Sequence, residues 1–227
     1  FILLPIIGFG QTQIGADIYG DAGNNQFGTS VAISADGMII ASGGIGFNTV
    51  RVYKTTAGSW VQLGADLKSS WNSGTSISLS SDGSIIAVGN PENSQNGSNA
   101  GSVDIYKNIA GTWTPIGNLY GTATGDFFGR SVSISSDGSI LAIGAYNKNG
   151  SAVKSGQVTV FQNISGNWTP IGNVINGKLA SDRFGKELKI SADGSIVAVG
   201  APESDANGVD SGQVRIFQNI SNSLAPN

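Results

Sequence analysis

The most regular carboxylates in this chain sit in four Asp-Gly pairs, Asp36-Gly37, Asp82-Gly83, Asp137-Gly138 and Asp193-Gly194, spaced by 46, 55 and 56 residues. Acids at such intervals could hold a divalent cation or act as general acid and base, provided that the fold gathers them at one point. Turn chemistry accounts for them locally: glycine takes a positive φ without penalty, Asp tolerates it better than most residues, and the pair closes hairpins. Asp36, Asp82, Asp137 and Asp193 are therefore read as structural turn residues. Asp205, Asn207 and Asp210 offer hard oxygens around Gly208 in the loop over residues 202–210. They are the candidate metal ligands, with calcium, which takes about six to eight such oxygens, as the candidate ion and no other cofactor expected. The corresponding loops from Asn90 and from Ala145 lack these acids. Trp60, Trp113 and Trp168 recur at one register, as core-filling aromatics do. Trp71 has no counterpart in the other repeats and is the candidate ligand-binding residue. No catalytic residue stands out, because nothing marks two particular acids as the pair a glycosidase needs.

The composition removes whole classes of chemistry. With no His and no Cys among 227 residues, a His-based triad, His- or thiolate-ligated zinc, thiol nucleophiles and disulfides are all excluded. A net charge of −3 gives no basic footprint for nucleic acid or anionic lipid. Thirty-four glycines and only 12% charged residues argue against a helical protein and for short strands joined by tight turns.

Those strands are organised by a repeat. Eight residues before each turn Asp lies a glycine, preceded by Phe in Phe27-Gly28, Phe128-Gly129 and Phe184-Gly185 and by Ser in Ser73-Gly74. The stretch between alternates with period two, as in residues 131–135, which predicts a strand with one buried face; in the fourth unit Lys186, Glu187 and Lys189 keep the alternation with charges. After each Asp-Gly comes an apolar run such as IVAVGAP, then a variable polar loop, an alternating strand such as QVRIF, and a Trp-led segment such as WTPIG. Four antiparallel strands per unit, repeated radially, predict an all-β fold, a β-propeller.

This pattern resembles the FG-GAP repeats of integrin α-subunit propellers, and still more the related tandem units of secreted bacterial surface proteins. The Phe-Gly pairs carry the resemblance, with the GAP-like ends Gly200-Ala201-Pro202, Gly144-Ala145-Tyr146 and Gly89-Asn90-Pro91 and the Gly-x-Val strands, over nearly all of residues 11–219. It implies the fold rather than a function. In place of the integrin-type calcium loop this chain has compact Ser-x-Asp-Gly turns.

The expected blades span residues 27–72, 73–125, 126–180 and 182–219, the last without its fourth strand. Residues 219–226 align with 163–170, placing Leu224 where Trp168 stands. An orphan segment of the missing type, residues 12–18, is the candidate closing strand. Either it completes the fourth blade and closes a ring, or the chain is part of a larger propeller. Residues 1–10 begin with the apolar run FILLPIIGF, too short to span a membrane, and read either as a signal-peptide remnant or as a buried first strand. The expected protein is secreted or at the cell surface, without membrane insertion after signal removal. Its expected role is non-enzymatic: display, adhesion or binding of a protein or glycan ligand through variable loops. A secreted hydrolase acting on polysaccharide through Asp and Glu, and an architectural spacer in a longer surface protein, are the alternatives.

Overall fold

The structure is a computed structural model that describes residues 10–21, 23, 26–44, 49–68 and 74–218. Among these there are sixteen strands and no helix. The first blade holds β1 (Ser30–Ile33), β2 (Ile39–Gly44), β3 (Thr49–Thr56) and β4 (Ser59–Gln62), with the short β5 (Leu67–Lys68) also on β3. The second holds β6 (Ser76–Leu79), β7 (Ile85–Asn90), β8 (Ser102–Ile109) and β9 (Thr112–Tyr120). The third holds β10 (Phe128–Ile134), β11 (Ile140–Ala145), β12 (Gln157–Ile164) and β13 (Asn167–Asn176), and the fourth β14 (Glu187–Ile190), β15 (Ile196–Ala201) and β16 (Gln213–Gln218). Each sheet is an antiparallel meander, and the four are arranged as a four-blade β-propeller.

Two turn types make the meander. In the Ser-x-Asp-Gly turn, Ser34 Oγ donates to Asp36 Oδ1 at 2.6 Å and accepts the Ile39 amide at 2.9 Å, while Asp36 Oδ1 also accepts the Met38 amide at 2.9 Å. Ser80–Asp82, Ser135–Asp137 and Ser191–Asp193 repeat this geometry. The outer hairpins turn on Ala57-Gly58, Ala110-Gly111 and Ser165-Gly166, both residues of each pair having positive φ. Two-residue loops of that kind match the twist of the strands they join.

The turn carboxylates are held ionised. Hydrogen bonds from Ser191 and then from the Ser195 amide bring Asp193 down from 3.8 to about 2. The Ser34 and Ser135 hydroxyls lower Asp36 and Asp137. For Asp82 burial pulls upward, but the bonds from Ser80 and Ser84 prevail. A carboxyl whose folded-state pKa lies below its unfolded value stabilises the fold above the unfolded pKa and loses that contribution as pH falls through the folded one. Denaturant midpoints should therefore decline between about pH 4 and about pH 2, and Asp193→Asn should flatten part of that decline. An unchanged profile in that variant would contradict the assignment.

Packing between blades repeats in register. The Ala35 amide donates to Ser81 O, the Ser81 amide to Ser136 O and the Ser136 amide to Ala192 O, each at 2.8 Å. Ser30, Ser76 and Ser131 donate their hydroxyls to the carbonyls of Gly74, Gly129 and Gly185 in the next blade. Around these latches lie three apolar clusters, one per joint, built on Val50, Val52 and Ile86, on Val103, Ile105 and Leu141, and on Val158, Phe184 and Val197. Trp113 reaches back across the first joint, its Nε1 donating to Leu63 O at 2.8 Å. Trp168 stands at the same register against Gly117, but its buried Nε1 finds no acceptor among the described residues. Trp113→Phe should therefore cost about 1 kcal/mol more than Trp168→Phe in chemical denaturation, the net worth of one hydrogen bond; equal costs would show that the bond contributes nothing.

One of the two readings of residues 12–18 is set aside and one further expectation is corrected. Among the described residues, 12–18 do not extend the fourth sheet, in which β16 pairs with β15 alone. They lie instead on the first blade, where Trp60 Nε1 donates to Ile14 O at 2.9 Å and Gly15 sits against the indole. That is the relation of Trp113 to Leu63 and Gly64, so the segment takes the place of the outer strand of a preceding blade. Equal register also predicts equal burial for Val31, Ile77, Val132 and Leu188. The last three are buried but Val31 is 73% exposed, because among the described residues no sheet stands on the side it faces.

Candidate functional site

The four inner strands, β1, β6, β10 and β14, form a wall around a cavity of about 340 Å³. At the first two strands it presents small polar side chains. Ser30 and Ser76 spend their hydroxyls on the blade latches described above, as does Ser131 on β10. At the third and fourth it is charged: Arg130 Nη1 stands 3.8 Å from Glu187 Oε1, and Lys189 is exposed two residues further along β14. Glu187 holds the register of Ser131, and Lys189 that of Ser133, whose Oγ accepts the Ile190 amide at 3.1 Å. In the fourth blade, therefore, the residues that elsewhere bind the next blade are replaced by charges. The Arg130–Glu187 pair is too long and too exposed to contribute much stability, which leaves both side chains free to reorient toward a ligand.

At one end of the third and fourth blades the loops are tied by ion pairs. Lys148 Nζ meets the buried carboxylate of Asp126 at 2.5 Å and Thr122 Oγ1 at 2.7 Å. Arg183 pairs with Glu203 at 3.0 Å, Lys186 joins Glu203 at 3.3 Å, and the Arg183 guanidinium lies 5.3 Å over the Tyr146 ring. These charges bond to one another and fasten the loops. In the second blade Asp104 is pushed up by burial, although Asn90 Nδ2 donates to it at 2.8 Å, and the Tyr106 hydroxyl beside it is raised to about 12 by burial and by that carboxylate. A larger, mostly apolar cavity of about 430 Å³ lies between the third and fourth blades, against Ile171, Gly172, Val197 and Phe217.

The residues singled out from sequence are not brought together. Asp36, Asp82, Asp137 and Asp193 each stay within their own turn, bonded to Ser hydroxyls and backbone amides. Asp205, Asn207 and Asp210 share one exposed loop, in which Asp205 Oδ1 accepts the Asp210 amide at 2.8 Å and the Asn207 amide donates to Ser211 Oγ at 3.3 Å. Among the described residues no group of three or more acids converges on a point where an ion could be held. Trp71 and Leu224 lie outside the described residues. Sequence reasoning passed over Arg130 and took Glu187 and Lys189 only as strand alternation; the signal was the replacement of Ser131 and Ser133 by Glu187 and Lys189 in the fourth unit and of Thr29 and Thr75 by Arg130 in the third.

Residues 120–161 match the FG-GAP repeat family. They run from the end of β9 into β12 and contain Phe128-Gly129, Asp137-Gly138 and Gly144-Ala145. No curated protein matches the sequence. Among solved structures the chain is similar to a protein from Bacteroides uniformis named for 6-phosphogluconolactonase, with TM-score 0.58 and 13% identity over 83% of this chain and 49% of that one. It is also similar to Kuenenia stuttgartiensis hydrazine synthase, with TM-score 0.55 and 14% identity over 92% of this chain and 49% of the other. At such identities the likeness shows the fold alone, and the chain spans about half the length of each of these structures. With one unit matching the repeat and the others built to the same register, the chain is a β-propeller that contains an FG-GAP repeat over residues 120–161.

Proposed function

We propose that this propeller is a non-enzymatic binding module that works outside the cell and takes a polar protein or glycan ligand on its inner wall. The observation that carries the reading is the charge on that wall. Arg130, Glu187 and Lys189 stand where the first two blades have Thr29 and Thr75, Ser30 and Ser76, Ala32 and Ser78. Three charges at positions that the first two blades fill with Thr, Ser or Ala serve neither the turns nor the latches. A cation pair flanking a carboxylate suits a ligand that carries both hydroxyl or carboxylate acceptors and donors. Export is supported by the apolar run FILLPIIGF ahead of the repeats and by the FG-GAP-like pattern itself. The regular carboxylates are bonded within separate turns, which favours binding over acid–base chemistry.

The folded chain should be screened on glycan and extracellular-protein arrays, and in parallel for turnover of polysaccharides and of phosphosugar lactones. Saturable binding without turnover is the expected result. Turnover that depends on Glu187 would overturn the reading in favour of a hydrolase, and absence of both binding and turnover would favour a spacer.

A further inference from the structure

Lys148 and Ser204 hold one place in successive blades, each just past the second strand. The Lys148 amide donates to Ala145 O at 3.1 Å and its carbonyl accepts the Gly156 amide at 3.0 Å, while the Ser204 amide donates to Ala201 O at 3.3 Å and its carbonyl accepts the Gly212 amide at 3.0 Å. Asp126 and Asp182 are matched in the same way. They stand two residues before Phe128 and Phe184, and their amides donate to Ala123 O at 3.2 Å and to Leu179 O at 3.4 Å. In both, Oδ2 closes the loop that enters the blade: that of Asp126 accepts the Ala123 amide at 3.1 Å, and that of Asp182 the Lys178 and Leu179 amides at 3.1 and 2.8 Å. We propose that a monovalent metal cation, sodium or potassium, is held by Asp182 Oδ1 and the Ser204 hydroxyl, in the place that the Lys148 ammonium takes beside Asp126.

The oxygen that asks for a cation is Asp182 Oδ1. Asp182 is 2% exposed, and this oxygen is buried without a hydrogen-bond partner among the described residues. A carboxylate taken out of water is costly unless it is paired or coordinates a metal. Asp126 meets that need with Lys148 Nζ at 2.5 Å. The cationic side chains that flank Asp182 in sequence are engaged elsewhere or turned outward. Arg183 donates through Nε to Glu203 Oε2 at 3.0 Å and through Nη1 to Asn147 Oδ1, Lys186 joins Glu203 at 3.3 Å, and Lys178 is exposed. Ser204, 1% exposed, brings a neutral oxygen donor where the third blade has its lysine. An oxygen so enclosed is reached by nothing larger than a water or a bare ion.

Charge and donor number select the ion. One carboxylate calls for one positive charge, which is what Lys148 supplies in the third blade. Calcium takes about six to eight oxygens, and among the described residues no three acids come together to offer them. The site lies in the link between β13 and β14, two residues ahead of Phe184, so the ion would fasten the joint of the third and fourth blades.

Thermal melting of the 227-residue chain in sodium, potassium or choline chloride at one ionic strength tests this. The melting temperature should be higher by about 3 °C or more in an alkali salt than in choline chloride, the shift expected once the ion is about tenfold above its dissociation constant. Ser204→Lys, which gives the fourth blade the ammonium of the third, should melt alike in all three salts and as high as the native chain does in the better alkali salt. Asp182→Asn should also melt alike in all three, at a lower temperature. Lys148→Ser, the reverse exchange, should widen the gap between the alkali and choline salts. A native chain that melts alike in all three would mean that water alone meets Asp182 and would overturn the proposal. A gap that persists in Asp182→Asn, or stabilisation by calcium chloride but by neither alkali salt, would overturn it as well.

Discussion

Replacing Phe184 by Ala is expected to destabilise the protein by about 3 to 5 kcal/mol, measured by chemical denaturation. Phe184 is the largest fully buried side chain among the described residues. It fills the joint between the third and fourth blades with Val158, Val197 and Val199, meets Phe217 edge to face at 6.0 Å, and carries the Arg215 guanidinium on its face at 4.9 Å. Truncation removes the apolar transfer energy, an aromatic pair and a cation–π contact together, and the strands around it are fixed by their ladders and relax little into the space. The control is Val214→Ala, on the open face of the same sheet, expected to change stability by less than about 0.5 kcal/mol. Similar losses in the two variants would show that the fourth blade does not pack as described.

Gly144→Ala should be as damaging for the opposite reason. Here a single added methyl would lie 2.1 Å from the Gly185 carbonyl and 2.3 Å from Ser131 Oγ, the two partners of a blade latch. The carbonyl cannot move aside unless the third and fourth blades separate, and the hydroxyl can turn away only by breaking the latch, so the cost should reach about 3 kcal/mol, the upper end of ordinary overpacking. Gly200→Ala, the same substitution one blade on, meets nothing closer than 3.6 Å and should be tolerated within about 0.5 kcal/mol. Melting temperatures of the two variants side by side decide the matter; equal behaviour would mean that the register of the blades has been misassigned.

The features legible in the sequence are those set by local chemistry. Asp-Gly with a Ser two residues ahead closes the same turn wherever it occurs, and the Phe-Gly and Trp registers mark the blades because each is a one-blade property. The latches were not legible, although they are as regular, because Ser76 and Gly129 or Ser131 and Gly185 stand 53 and 54 residues apart and only the stacking of blades joins them. Val31 shows why register alone misleads: burial depends on the neighbour, and among the described residues no sheet stands on that side of the first blade. The segment over residues 12–18 was recognised as an outer strand, but which blade it serves depends on Trp60, 46 residues away from Ile14. The charged wall was hidden for a similar reason, since Arg130 and Glu187 become neighbours only once β10 and β14 stand side by side.

The central functional claim is that the inner wall is where this propeller meets its ligand. The most direct test is a calorimetric titration of the best array ligand into the native chain and into the Arg130→Ala, Lys189→Ala double variant. Both side chains stand outside the apolar clusters, so the melting temperature should not change. The account predicts that affinity falls by about tenfold or more, the loss of two charge-assisted contacts. An unchanged affinity in a folded double variant would contradict it.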